Sequence, residues 1–289
     1  ILSGLVGSEM CIRDSLMARV VSLFRHPIKG FTPESVDSLI VQADGRIAGD
    51  RVLAFRFADA TAPEHHDGLD HWPKAKGLSL QDFPGLAALR TDYDDARQRV
   101  RIEHAGAVLV EAGLDDAGRV ELADAVTEFV LASAEGRRIR RPGRLPLVLV
   151  GDGVTSRFQD RARGYVSVHS RGSVDALSDA LGFGIDDRRF RSNVVVDDVA
   201  PWSELDWTGE LSIGRVSFRT AGPIVRCLAT HANPDTGARD AKVLKTLTND
   251  LGQDEPTLGR LLLPPRAAAD GSAEWAGGTI SVGDEVRAH

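Results

Sequence analysis

Cysteine is almost missing from this 289-residue chain, standing only at Cys11 and Cys227. So few thiols exclude a disulfide framework, and they exclude zinc or iron–sulfur sites built from several thiolates. Cys11 falls in the opening stretch ILSGLVGSEMCIRDSL, part of which resembles a translated sequencing adapter. That stretch has no basic n-region, and Glu9, Arg13 and Asp14 interrupt its apolar residues, so it does not read as a signal peptide. Residues 1–16 are set apart as a non-native tail expected to be disordered, which leaves Cys227 as the credible thiol.

Long apolar runs are missing too. No segment approaches the roughly 20 residues that a membrane helix needs, so no membrane partner is expected. Lysine is scarce, at positions 29, 74, 76, 242 and 245, and most of the 35 basic residues are therefore arginine. Arginine's planar fork suits bidentate recognition of phosphate or carboxylate. A net charge of -7 with a pI near 5.6 denies the broad basic face that nucleic acid requires. The expected location is cytoplasmic.

What is present reads as short β-rich segments. VVSLF, SVDSLIV and RVLAFRF are separated by turn-like HPIKGF and ADGRIAGD, and LAALRTD, RVRIEH and AVLVEA follow. Residues 121–134 place Leu122, Val126, Phe129 and Val130 on one helical face, with Gly136 ending the pattern. The basic run RRIRRPGRLP marks a linker over residues 137–146. Beyond it LVLV, YVSVH, NVVVD, LSI, VSFRTA, IVRCLAT and TISV read as strands. Ser173 is expected to cap a short helix, VDALSDAL, that ends at Gly182, and KVLKTLTND to form a second one. The fold class is α+β, β-rich and barrel-like with a few short helices. The expected parts are residues 17–136 and residues 147–289.

The strongest chemical pattern is PIVRCLATHANPDTGARD. Arg226 precedes the thiol, Thr230 and His231 follow it, and Asn233 opens a tight turn through Thr236 and Gly237. A thiolate beside arginine serves as a nucleophile or a soft-metal ligand. The alternative is a small buried hydrophobe on a strand, the common fate of a free cysteine. A phosphatase loop would need an arginine where Asn233 stands, and along a straight strand His231 would not point back at Cys227 as a base. Three further segments offer an anion site: HPIKG with Lys29, AGDRV with Arg51, and RRFRSNVVVD with Arg189, Arg191 and Asn193. The loop EHHDGLDHWPKAKG carries His65, His66, Asp67, Asp70 and His71 without regular ligand spacing, and is expected to be an exposed polar loop rather than a metal site.

HPIKG, GRIAGDR, FRSNVVVD, RCLATHANPDTG and GGTISVGDEV, in that order, resemble the MOSC family, named from the C-terminal domain of molybdenum-cofactor sulfurase. The resemblance includes the associated N-terminal β-barrel domain, as in the mitochondrial amidoxime-reducing component, and spans residues 20–286. It implies a MOSC β-barrel domain packed with an N-terminal β-barrel-like domain. It further implies molybdenum cofactor (molybdopterin), with Cys227 as the molybdenum ligand or as a persulfide carrier. Lys29, Arg51, Ser170, Arg191, Asn193, Arg226, Thr230, Asn233 and Thr236 match cofactor-binding positions. Position 192 is Ser where the family usually has Pro, and position 30 is Gly where many relatives have a small hydroxyl residue.

The function this implies is an oxidoreductase reducing small N-oxygenated compounds such as N-hydroxylated bases, amidoximes and hydroxylamines. Its electrons would come from a separate donor, a reductase with a ferredoxin-like or cytochrome b5-like carrier. The alternative is a sulfur or cofactor carrier; pyridoxal phosphate, which serves a fused sulfurase domain, is not expected. A third reading, a degenerate fold without cofactor, fits poorly with Lys29, Arg51, Arg191, Asn193, Arg226 and Cys227 all being present.

Overall fold

The computed structural model describes residues 17–66, 69–160, 165–266 and 275–288. The tail expected at residues 1–16 lies outside these, as does Asp67.

Seven strands close into a barrel. In chain order they are β1 (Met17–Arg25), β2 (Val166–Ser170), β3 (Val194–Asp197), β4 (Glu210–Ile213), β5 (Val216–Val225), β6 (Thr257–Leu263) and β7 (Glu285–Ala288). Around the barrel the order is β3, β2, β6, β5, β4, β7 and β1, and β1 pairs back onto β3. The β2–β3 pair is parallel, with Val168 opposite Val194, whereas β1 runs antiparallel to both of its neighbours. Alternate residues of each strand face inward. Val20, Leu23, Val166, Val168, Val194, Val196, Leu211, Ile213, Phe218 and Leu262 fill the interior as one cluster.

Leu89–Asp94, Arg99–His104 and Ala107–Gly113 form an antiparallel meander. Against it packs α1 (Asp116–Ala132), whose Leu122 and Val126 join Phe31, Phe55, Leu86 and Ile102 in a second core. The helix begins earlier than its apolar face alone suggests, because Asp115 accepts the Gly118 amide at 2.8 Å and satisfies a first-turn donor. It stops at Ala132, with Ser133 rather than Gly136 as its cap.

Strand pairing crosses the basic run at 137–146. The N-terminal β1 belongs to the barrel, Ala54–Arg56 pairs with Val148–Val150, and Ser38–Val41 pairs with Gly278–Ser281. Two local expectations need correcting. The helix α2 (Arg171–Leu181) is capped by Ser170 and not by Ser173, although Gly182 ends it in the left-handed conformation as expected. IVRCLAT is not one strand: β5 ends at Val225, and Cys227 precedes a short helical turn over Leu228–His231. The EHHDGLDHWPKAKG segment contains a small hairpin, Glu64–His66 against Leu69–His71, and a helical turn over Lys74–Lys76. Among the described residues no helix is long and apolar enough to cross a membrane.

Candidate functional site

Where the barrel meets the N-terminal core, a cavity of about 480 Å³ opens beside Cys227. Lys29, Arg51, Arg191, Asn193, Arg226, Cys227 and Thr230 all line it, so seven of the ten site residues expected from the sequence converge. Lys74 and Arg189 line it as well, giving six cationic side chains against one carboxylate, Asp160.

The Cys227 thiol is half-buried and unpaired in any disulfide. Its backbone carbonyl accepts both the Thr230 amide and the Thr230 hydroxyl, each at 3.0 Å, which fixes the turn that presents the sulfur. Arg226 is pinned beneath by its own donors, Nε to the Leu258 carbonyl at 2.7 Å and Nη1 to the Phe190 carbonyl at 2.6 Å. Its Nη2 is buried and has no hydrogen-bond partner among the described residues. Burial pushes this guanidinium down to about 9, opposed by Cys227 and Glu204, so it remains a cation at neutral pH.

Two arginines of the cavity adopt the left-handed region, Arg51 at φ 54° and Arg191 at φ 53°. That conformation is unfavourable for residues with a Cβ and persists only where surrounding bonds dictate it. Here the Arg51 amide donates to the His26 carbonyl at 2.6 Å, Arg51 Nη2 to the Arg191 carbonyl at 3.0 Å, and Arg191 Nη1 to the Phe31 carbonyl. Burial, reinforced by Arg51, pushes Arg191 down to about 9, while Asp50, Asp160 and Cys227 oppose the shift. Ser192, the residue after it, is buried, and its hydroxyl has no partner among the described residues. Gly30 borders the cavity at φ 90°, a conformation in which any side chain would be strained.

Asn193 lines the cavity with its amide already committed. Nδ2 donates to the Phe24 carbonyl and to Asp50 Oδ1, both at 3.2 Å, and Oδ1 accepts the Ser167 hydroxyl at 2.9 Å. Asp50 in turn accepts the His26 amide at 2.8 Å and an Arg51 Nη1 donor. Burial opposes ionisation of this carboxyl, yet Arg51 and His26 hold it well below the usual carboxylate range.

Ser170, Asn233 and Thr236 do not reach the cavity. Ser170 Oγ accepts the Ser173 amide at 3.2 Å and serves as the α2 cap. Asn233 Oδ1 accepts the amides of Asp235 at 2.9 Å and Thr236 at 3.2 Å, while Thr236 Oγ1 accepts that of Ala238 at 3.2 Å. Asn233 acts on the cavity wall at one remove: its Nδ2 donates to Asp240 at 2.7 Å, and Asp240 accepts Arg189 at 2.6 Å. Gly237 closes the turn at φ 71°, where a Cβ would lie 2.5 Å from the Gly85 Cα. Only glycine lets this turn pack on the N-terminal part.

Sequence reasoning missed Lys74 and Asp160 as parts of one site. Each lies in an unremarkable polar loop, and no local spacing announces their meeting. Among the described residues no group of three or more His, Cys, Asp or Glu is placed to hold a metal ion. The cavity suits a large anionic chelate that brings metal donors of its own: it offers excess positive charge, a buried guanidinium atom unpartnered among the described residues, and one soft thiol.

Two family matches divide the chain: the MOSC N-terminal beta barrel domain over residues 17–137 and the MOSC domain over residues 155–287. Among curated proteins, a molybdenum cofactor sulfurase from Drosophila willistoni is 45% identical over 60 residues, covering 21% of this chain and 8% of that protein. Mitochondrial amidoxime-reducing component 1 from Mus musculus is 32% identical over 128 residues, covering 41% of this chain and 35% of that protein. The aligned stretches thus span about a tenth of the sulfurases and about a third of the amidoxime-reducing component. Among solved structures, the YUAD protein from Bacillus subtilis covers 93% of this chain and 94% of its own, with a TM-score of 0.40 and 11% identity. With both of its domains matched over nearly the whole described length, the chain belongs to the MOSC-domain family and carries the MOSC N-terminal β-barrel domain ahead of the MOSC domain.

Proposed function

We propose that this chain binds molybdenum cofactor in the cavity at Cys227 and reduces small N-oxygenated compounds such as amidoximes, N-hydroxylated bases and hydroxylamines. The observation that carries the reading is a half-buried lone thiol in a cavity where six cations face one carboxylate. Bound there, the cofactor would supply two-electron redox chemistry, which together with two protons converts an N–OH group to N–H and water. Cys227 would be the protein's sulfur ligand, a soft donor suited to molybdenum. Lys29, Arg51, Arg191 and Arg226 would hold the anionic portion through charge-assisted hydrogen bonds. Thr230 keeps the thiol presented, and Asn193 keeps Asp50 and Arg51 in place.

A cluster held by several thiolates has no ligand set among the described residues, where Cys227 is the free cysteine. In this reading electrons reach the site from a separate donor, a reductase working through a ferredoxin-like or cytochrome b5-like carrier. The name of the mouse relative, an amidoxime-reducing component, supports the N-reductive reading. The test is molybdenum and pterin analysis of protein made in a host that produces the cofactor. Wild type should carry both in near-equal amounts, and Cys227→Ser should lose most of the metal; a metal-free wild type would sink the reading.

The named sulfurase relatives favour a second reading, in which Cys227 carries sulfur as a persulfide to another molybdoenzyme. Intact-mass spectrometry separates the two. A sulfur adduct lost in Cys227→Ser supports the carrier, and stoichiometric molybdenum without an adduct excludes it.

A further inference from the structure

Two of the cavity's six cations depend on the same acid. Lys29 Nζ lies 2.8 Å from Asp160 Oδ1, and Lys74 Nζ lies 3.0 Å from Asp160 Oδ2. The other cations are placed differently: Arg51 pairs with Asp50, Arg189 pairs with Asp240, and Arg191 and Arg226 donate to backbone carbonyls. We propose that Lys74 is a further anion-binding residue of this cavity, and that Asp160 holds the place of the ligand's phosphate and yields both lysines to it. The inference rests on the reading of the cavity as an anionic-cofactor site.

The lysines are the fixed members of this triad. Lys29 is buried, and its backbone amide donates to the Leu53 carbonyl at 2.9 Å. Lys74 opens a helical turn anchored one residue earlier, where the Pro73 carbonyl accepts Arg56 Nη1 at 2.9 Å. Trp72 sits over that buried arginine at 5.3 Å and against Phe158 at 4.9 Å. Asp160 is the open member: its side chain is 53% exposed, against 11% for Lys29 and 35% for Lys74. A single carboxylate leaves two ammonium groups with one net positive charge, whereas a phosphate dianion neutralises both and offers more acceptor oxygens. The carboxylate therefore acts as a weak internal competitor. It keeps two like charges together while the site is empty of ligand and gives way to a dianion.

The Lys74 ammonium is partly buried, which disfavours its charge, but Asp160 first and then Cys227 hold its affinity for the proton above the ordinary lysine value. Lys74 and Cys227 line the same cavity.

Isothermal titration of the full chain with inorganic phosphate near pH 8, using protein from a host that makes no molybdenum cofactor, tests the exchange. Asp160→Asn should bind phosphate about fivefold tighter and Lys74→Ala about fivefold weaker, with Lys74→Arg restoring most of the loss. Melting curves identify any variant that has failed to fold, and the opposite signs of the two effects rule out general damage. Equal or weaker binding by Asp160→Asn, or unchanged binding by Lys74→Ala, would overturn the proposal. Should phosphate binding respond to Lys29→Ala but to neither Asp160 nor Lys74, the proposal fails while the cavity reading stands. If no variant binds phosphate and no pterin copurifies from a cofactor-making host, both fail.

Discussion

His26 sits behind the cavity with no exposed surface, its Nδ1 3.2 Å from Asp50 Oδ1. Burial first, then Arg51 and Arg191, push its pKa from 6.5 to about 3, against the pull of Asp50. Below pH 6.5 the unfolded chain takes up a proton that the folded imidazole refuses until about pH 3, so stability falls as pH drops through that window. At pH 5 the loss from this one residue should be roughly 2 kcal/mol. Urea unfolding of wild type and His26→Gln at pH 7 and pH 5 checks it, with the variant expected to lose less on acidification. An identical pH dependence in both proteins would contradict the assignment. Asp50 is held low as well, so its own contribution is lost only at more acid pH and does not blur this comparison.

At the scale of elements, α2 shows where local reading succeeds and where it stops. Its terminator, Gly182, was legible because a left-handed cap demands glycine. Its start was misplaced from Ser170 to Ser173 for a reason absent from the local sequence. The Ser173 hydroxyl donates to Glu204 at 2.8 Å and accepts the Trp202 amide at 2.7 Å, so it is unavailable as a cap. Ser170→Ala removes the true cap from a buried site and should cost about 1 kcal/mol. Thermal or urea unfolding measures the loss, and stability equal to wild type would argue against the capping role. A similar limit explains the end of β5. The apolar alternation suggests that the strand continues through Cys227, but the Arg226 amide is drawn to the Pro256 carbonyl and its side chain to Leu258 and Phe190. These contacts turn the chain and place the thiol at the cavity instead of in a strand. The Lys74 turn was hidden for the same reason, since its anchors, Arg56 and Phe158, are distant in sequence.

Across the whole molecule, the cavity exists because two cores are laced together. The opening strand β1 completes the barrel, Ala54–Arg56 pairs with Val148–Val150, and Gly237 packs on Gly85. The order of the motifs made the family and the β-rich class legible, and seven of the ten site residues do meet at one cavity. The other three, Ser170, Asn233 and Thr236, brace the elements around it, a role that residue type alone does not separate from ligand contact. On the proposed function, the Cys227 sulfur is the protein's ligand to molybdenum. X-ray absorption at the molybdenum edge, on protein loaded with cofactor, tests it by counting sulfur neighbours of the metal. One fewer sulfur is expected in Cys227→Ser than in wild type; the same sulfur count in both, with cofactor bound, would contradict the ligand role.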